Sequence, residues 1–89
     1  MAYAIARHTV KDYAAWRRVF DEFEPVRKQG GERSAVVLQA DGNPNDVTVI
    51  NTWDSVAAAK AFFGQEALKE AMQKAGVASE PQFFFGNNV

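Results

Sequence analysis

The chain has no cysteine and a single histidine in 89 residues. Without cysteine, no disulfide can staple the fold and no zinc–thiolate site can form. That composition fits a reducing compartment. Charge of one sign is also missing: ten basic residues meet eleven acidic ones, for a formal net charge of -1. A chain so balanced lacks the basic footprint of a nucleic-acid or membrane-surface partner, and neither is expected. No apolar run approaches the roughly 20 residues of a membrane span. The opening MAYAIARH lacks the basic segment, apolar core and cleavage site of a secretion signal. It reads instead as a first strand, and the protein as cytoplasmic.

Several chemical signatures are missing too. There is no glycine-rich phosphate loop, no HExxH, no GxSxG and no persuasive order of Ser, His and Asp. DGNPND, residues 41–46, is too short for an EF-hand loop and lacks its glutamate, so it reads as a turn. No flavin- or nicotinamide-binding fold is indicated, and neither a cofactor nor a metal site is expected.

What remains is a globular chain, 47% hydrophobic, of a size that makes one domain over residues 1–89. A domain this small buries only roughly 60 to 65% of its unfolded surface. From Ala2 to Thr9 the residues alternate, with Tyr3, Ile5, Arg7 and Thr9 on one face and Ala4, Ala6 and His8 on the other. Asp12 is a good helix N-cap. Tyr13, Trp16, Phe20 and Phe23 then recur at helical spacing. Pro25 predicts a kink or break near Glu24, and Gly30 and Gly31 predict the helix end. Ser34 to Ala40 and Val47 to Trp53 read as the two strands of an antiparallel hairpin. Asp54 or Ser55 caps a helix whose buried side is Val56, Ala59, Phe62 and Phe63. Gly64 breaks it, and a further helix runs from about Glu66 to Ala75. Pro81 to Gly86 is the last strand. This order is that of an α+β, ferredoxin-like βαββαβ fold: a four-stranded antiparallel sheet with helices on one face.

The strands do not alternate cleanly between apolar and polar residues. Val36 and Leu38 oppose Val37, Ile50 opposes Val47 and Val49, and Phe84 opposes Phe83 and Phe85. Both faces of the sheet are therefore apolar, and the helices cover only one. A second copy packed sheet to sheet is the simplest cover, so the expected partner is the protein itself, as a homodimer.

The run from His8 to Trp16, followed by Phe20, Arg27 and Gly30, resembles the small dimeric α/β barrel proteins. So do the hairpin ending in Trp53-Asp54 and the stretch ALKEAMQKAGV, residues 67–77, before a final aromatic strand. The resemblance covers nearly the whole chain. It implies a ferredoxin-like dimeric barrel with a cleft between sheet and helices in each subunit. That superfamily includes cofactor-free antibiotic-biosynthesis monooxygenases, haem-degrading enzymes, polyketide cyclases, muconolactone isomerases and stress-responsive barrels. Pro25 departs from the regular helix former such proteins would carry there.

Each residue that could build a site in such a cleft also has a plainer structural role. His8 could act as a general base; otherwise it ends a strand and bonds a nearby carbonyl or carboxylate. A haem-binding barrel with His8 as axial ligand is a minor alternative. Asn51 and Trp53 resemble the amide and indole of the cofactor-free monooxygenases, or are a strand-end Asn and a core Trp. Tyr13 could steady an oxyanion; Trp16, Phe20 and Phe62 could wall a cleft, or simply fill the core. Arg7 and Arg27 could hold a substrate carboxylate or enolate. Arg7 is equally a cross-strand ion-pair partner and Arg27 a helix-dipole partner. Two functions are in view: a cofactor-free monooxygenase- or cyclase-like enzyme acting on a small aromatic or polyketide-like substrate, and a non-catalytic ligand-binding or stress-responsive barrel.

Overall fold

The computed structural model describes residues 1–89. Its elements are β1 (Ala2–Thr9), α1 (Tyr13–Glu22), α2 (Glu24–Gln29), β2 (Glu32–Ala40), β3 (Asn43–Trp53), α3 (Val56–Phe63), α4 (Glu66–Lys74) and β4 (Gln82–Asn87). The strands form one antiparallel sheet in the order β2-β3-β1-β4. This is the ferredoxin-like α+β arrangement, with its second crossover built from two short helices.

Local chemistry sets the boundaries. The Asp12 carboxylate accepts from the Ala14 N–H and caps α1. The Ser55 hydroxyl does the same for α3 through the Ala58 N–H, so Ser55 rather than Asp54 is the cap. Pro25 cannot continue the ladder of α1 but suits a first helical turn, and the chain restarts there as α2. Gly31 takes φ +109 and turns the chain into β2; a Cβ there would meet the Asp54 carboxylate at 3.1 Å.

Two expected boundaries shift. Residues 43–46 are not turn but the start of β3, leaving Asp41 and Gly42 to make the hairpin turn. The cause is tertiary: Asp46 is held by Arg7, and the Asn45 carbonyl accepts from the Val10 N–H at 2.8 Å. Likewise β2 starts at Glu32, two residues earlier than its hydrophobic run, with an irregularity before Ser34.

The register divides the sheet as the alternation requires. Ala2, Ala4, Ala6 and His8 lie beneath the helices, beside Trp53, Asn51, Val49 and Val47 of β3. Two clusters form there, one around Trp53 and Phe62 and one around Trp16 and Val47. On the opposite face Val36, Ile50, Ile5 and Phe84 stand in one row across all four strands. Val36, Leu38 and Phe84 are 53%, 47% and 60% exposed, and nothing in the chain covers them.

Candidate active site

Between the sheet and its helices lies a cleft of about 580 Å³, counting its open mouth. Its existence begins with β1, whose first three inward side chains are all alanine. A strand of methyl groups cannot reach the helices above it. Ala6, Val49 and Phe83 form much of the floor; Trp16, Val19, Phe20 and Phe23 form one wall, and Phe62, Leu68 and Met72 stand opposite. Thirteen of the sixteen lining residues are hydrophobic, so three polar side chains decide what the cleft can do: His8, Asn51 and Arg27.

His8 is 6% exposed, and neither ring nitrogen has a hydrogen-bond partner. Its only specific neighbour is the edge-to-face ring of Trp16, at 5.7 Å. Burial pushes its pKa below the usual value, because the protonated form loses hydration and gains no counter-charge. At neutral pH it is therefore a neutral imidazole with one free acceptor and one free donor. That is the state a general base needs.

Asn51 belongs to a buried network. Nδ2 of Asn51 donates to Oε2 of Glu32 at 3.2 Å, and Nε of Arg27 donates to the same oxygen at 2.9 Å. Arg27 also donates from Nη1 to the Phe20 carbonyl and lies 3.8 Å over the Phe20 ring. Oδ1 of Asn51 is left without a partner.

Asn51 and His8 are not adjacent. Asn51 is opposite Ala4, four residues from His8 along β1, so the two side chains leave the sheet roughly 14 Å apart. They mark two ends of one cleft rather than converging on a point. Nowhere in the structure do three or more His, Asp or Glu side chains gather as a metal site would require.

A family model for antibiotic biosynthesis monooxygenases matches residues 1–74. The chain belongs to the antibiotic biosynthesis monooxygenase (ABM) family. No curated protein matches it significantly in sequence. Solved structures do. A protein from Bordetella bronchiseptica superposes with a TM-score of 0.82 at 17% identity, over 99% of this chain and 96% of that one. SnoaB, a cofactor-independent oxygenase from Streptomyces nogalater, gives 0.74 at 18% identity, over 99% and 94%. A protein from Methanosarcina mazei gives 0.77 at 16%, over 99% and 92%. At such identities the likeness is one of fold.

Of the residues singled out in the sequence, this ABM-family chain brings His8, Asn51, Trp16, Phe20, Arg27 and Phe62 to the cleft. Three lie elsewhere. Arg7 is on the open face of the sheet, paired with Asp46 at 2.7 Å, because it alternates with His8. Tyr13 begins α1, half-buried against Trp16, and does not line the cleft; its hydroxyl accepts from Arg17 at 3.4 Å. Trp53 is fully buried behind the cleft, packed on Phe62 with ring centres 5.0 Å apart. Arg27 stands in the last turn of α2, where a helix-dipole partner is expected, and it is also buried against Glu32, with both side chains under a tenth exposed. Glu32 was not among the expected site residues. Its only sequence signal is an acidic residue directly after a helix-ending Gly-Gly, five positions from an arginine.

Proposed function

We propose that this protein is a cofactor-independent oxygenase that binds a small, planar, hydroxylated aromatic molecule in the cleft. The observation that carries this reading is His8: a buried neutral imidazole whose two nitrogens have no hydrogen-bond partner, in a cleft lined mostly by apolar side chains. An acidic phenolic O–H, or a C–H beside a carbonyl, gives its proton to His8. The resulting electron-rich anion reacts with dioxygen. One oxygen atom stays in the product as a carbonyl, and the other leaves as water with two hydrogens from the substrate. The substrate supplies all the electrons, so no external reductant is needed. The apolar walls of Trp16, Phe20 and Phe62 bind the ring system and keep bulk water from the anion. With His8 and Asn51 at opposite ends, an extended fused-ring substrate fits better than a single ring. The fold shared with SnoaB and membership of the ABM family support this reading.

The test is oxygen uptake with an anthrone or a naphthol in air-saturated buffer. His8→Ala is expected to abolish turnover while changing stability by no more than about 1 kcal/mol. Turnover that survives in His8→Ala removes His8 as the base.

The same reading takes the protein as a homodimer joined through the open face, where Val36, Ile50, Ile5 and Phe84 form their apolar row. A patch of this kind on a small domain favours association. Ile50→Lys is expected to give a monomer by light scattering; a wild-type monomer at micromolar concentration refutes the dimer.

A non-catalytic binding protein is the second reading. It is favoured by the separation of His8 and Asn51 and by the lack of any hydrogen-bond partner to orient the imidazole. Binding of aromatic probes without oxygen uptake would select it.

A further inference from the structure

The direction in which Asn51 faces is dictated from outside the cleft. An arginine can only donate hydrogen bonds. The atom of residue 32 that meets Arg27 must therefore be an acceptor, and Oε2 of Glu32 takes that bond at 2.9 Å. The same oxygen takes the bond from Asn51 at 3.2 Å. If the Asn51 amide were turned around, its carbonyl oxygen would oppose this carboxylate oxygen with no hydrogen between them. In a site this dry, such a contact is strongly disfavoured. Arg27 is in turn fixed by the Phe20 carbonyl and the Phe20 ring. The chain of command runs from Arg27 to Glu32 to Asn51, and it leaves Oδ1 of Asn51, a buried residue that lines the cleft, as the amide atom without a partner.

We propose that Arg27 and Glu32 are positioning residues that hold Asn51 with its carbonyl oxygen available to the cleft, so that the cleft selects ligands carrying a hydrogen-bond donor at that end. A ligand hydroxyl satisfies Oδ1. An ether or carbonyl at the same place leaves two acceptors facing each other. The inference rests on the reading above that the cleft binds small aromatic molecules, and it adds which atom of the ligand is read and by what.

The probes are 2-naphthol, 2-methoxynaphthalene and naphthalene, which share a ring system and differ at one position. Binding to the intact protein is measured by equilibrium dialysis at neutral pH, after thermal unfolding has shown each variant to be folded. Wild type is expected to prefer 2-naphthol over 2-methoxynaphthalene by about tenfold or more. The preference is expected to persist in Glu32→Gln, because Arg27 still forces an oxygen into the shared position. The double variant Arg27→Met, Glu32→Leu replaces the pair by apolar side chains of similar size, and there the two probes should approach parity while naphthalene binds as before. A merely structural role for the pair would lower the affinity of all three probes together and leave their ratio unchanged. Asn51→Leu provides the same test without touching the ion pair and should also abolish the preference. Parity in wild type, loss of the preference in Glu32→Gln, or a preference that survives in Asn51→Leu overturns the proposal but leaves the aromatic cleft standing. Failure of all three probes to bind wild type overturns both.

Discussion

The two ends of the cleft treat buried polarity in opposite ways. At one end Arg27, Glu32 and Asn51 bond to each other and to a backbone carbonyl, so that a single acceptor, Oδ1 of Asn51, is left over. At the other, His8 has no hydrogen-bond partner and packs edge to face on Trp16. The first arrangement fixes geometry. The second leaves both imidazole nitrogens uncommitted. Both carry a stability penalty, but of different kinds. The ion pair is stable only while both partners are present, whereas His8 is a standing deficit that a ligand can relieve.

The largest effect should come from splitting the pair. Arg27→Ala alone leaves Glu32 as an uncompensated buried charge, and a loss of about 3 to 5 kcal/mol in urea unfolding is expected. Replacing both residues by Met and Leu should recover most of that loss. If the single variant is as stable as the double, the network is not a unit and the contrast between the two ends fails.

A change of opposite sign is expected at His8. His8→Phe removes the unpartnered nitrogens from an apolar setting and should stabilise the protein by about 1 kcal/mol. A clear loss of stability would mean that His8 has a partner in solution.

The smallest effect is the pH dependence tied to the same residue. Burial lowers the His8 pKa in the folded state, so between that value and the unfolded value of about 6.5 the unfolded chain binds more protons. Stability should therefore decline as pH falls below about 6.5 and level off beneath the folded pKa. His8→Phe should flatten that part of the stability curve. Carboxylates such as Asp46, which Arg7 holds below its ordinary value, act at lower pH and should be unaffected by the substitution.

Much of the architecture was legible in local chemistry. Asp12 and Gly30-Gly31 announce the ends of the first helical segment, Pro25 its interruption, and strict alternation along β1 separates Arg7 from His8. That alternation was already enough to place Arg7 on the face away from the helices. What could not be read locally was set by distant partners. Asn43 to Asp46 carry every mark of a turn, yet Arg7 and Val10 draw them into the ladder. Trp16, Phe20 and Phe62 could be named for the cleft because they lie on helical stripes facing the sheet. Glu32 could not, since its role exists only where Arg27, five residues earlier, and Asn51, nineteen later, meet across a helix-to-strand turn. Tyr13 shares the spacing of the apolar stripe and packs on Trp16, but it lies outside the cleft, a distinction periodicity does not make.

The alanines of β1 give the cavity an adjustable depth. Ala2 and Ala4 are buried in one cluster with Trp53 and Phe62, where an added methylene would strain the core. Ala6 lies under open space. Valine or leucine at that one position would raise the floor without disturbing the walls or the Arg27–Glu32–Asn51 network. A single codon thus sets the depth of the cleft, while the fold and the polar groups at its two ends stay as they are.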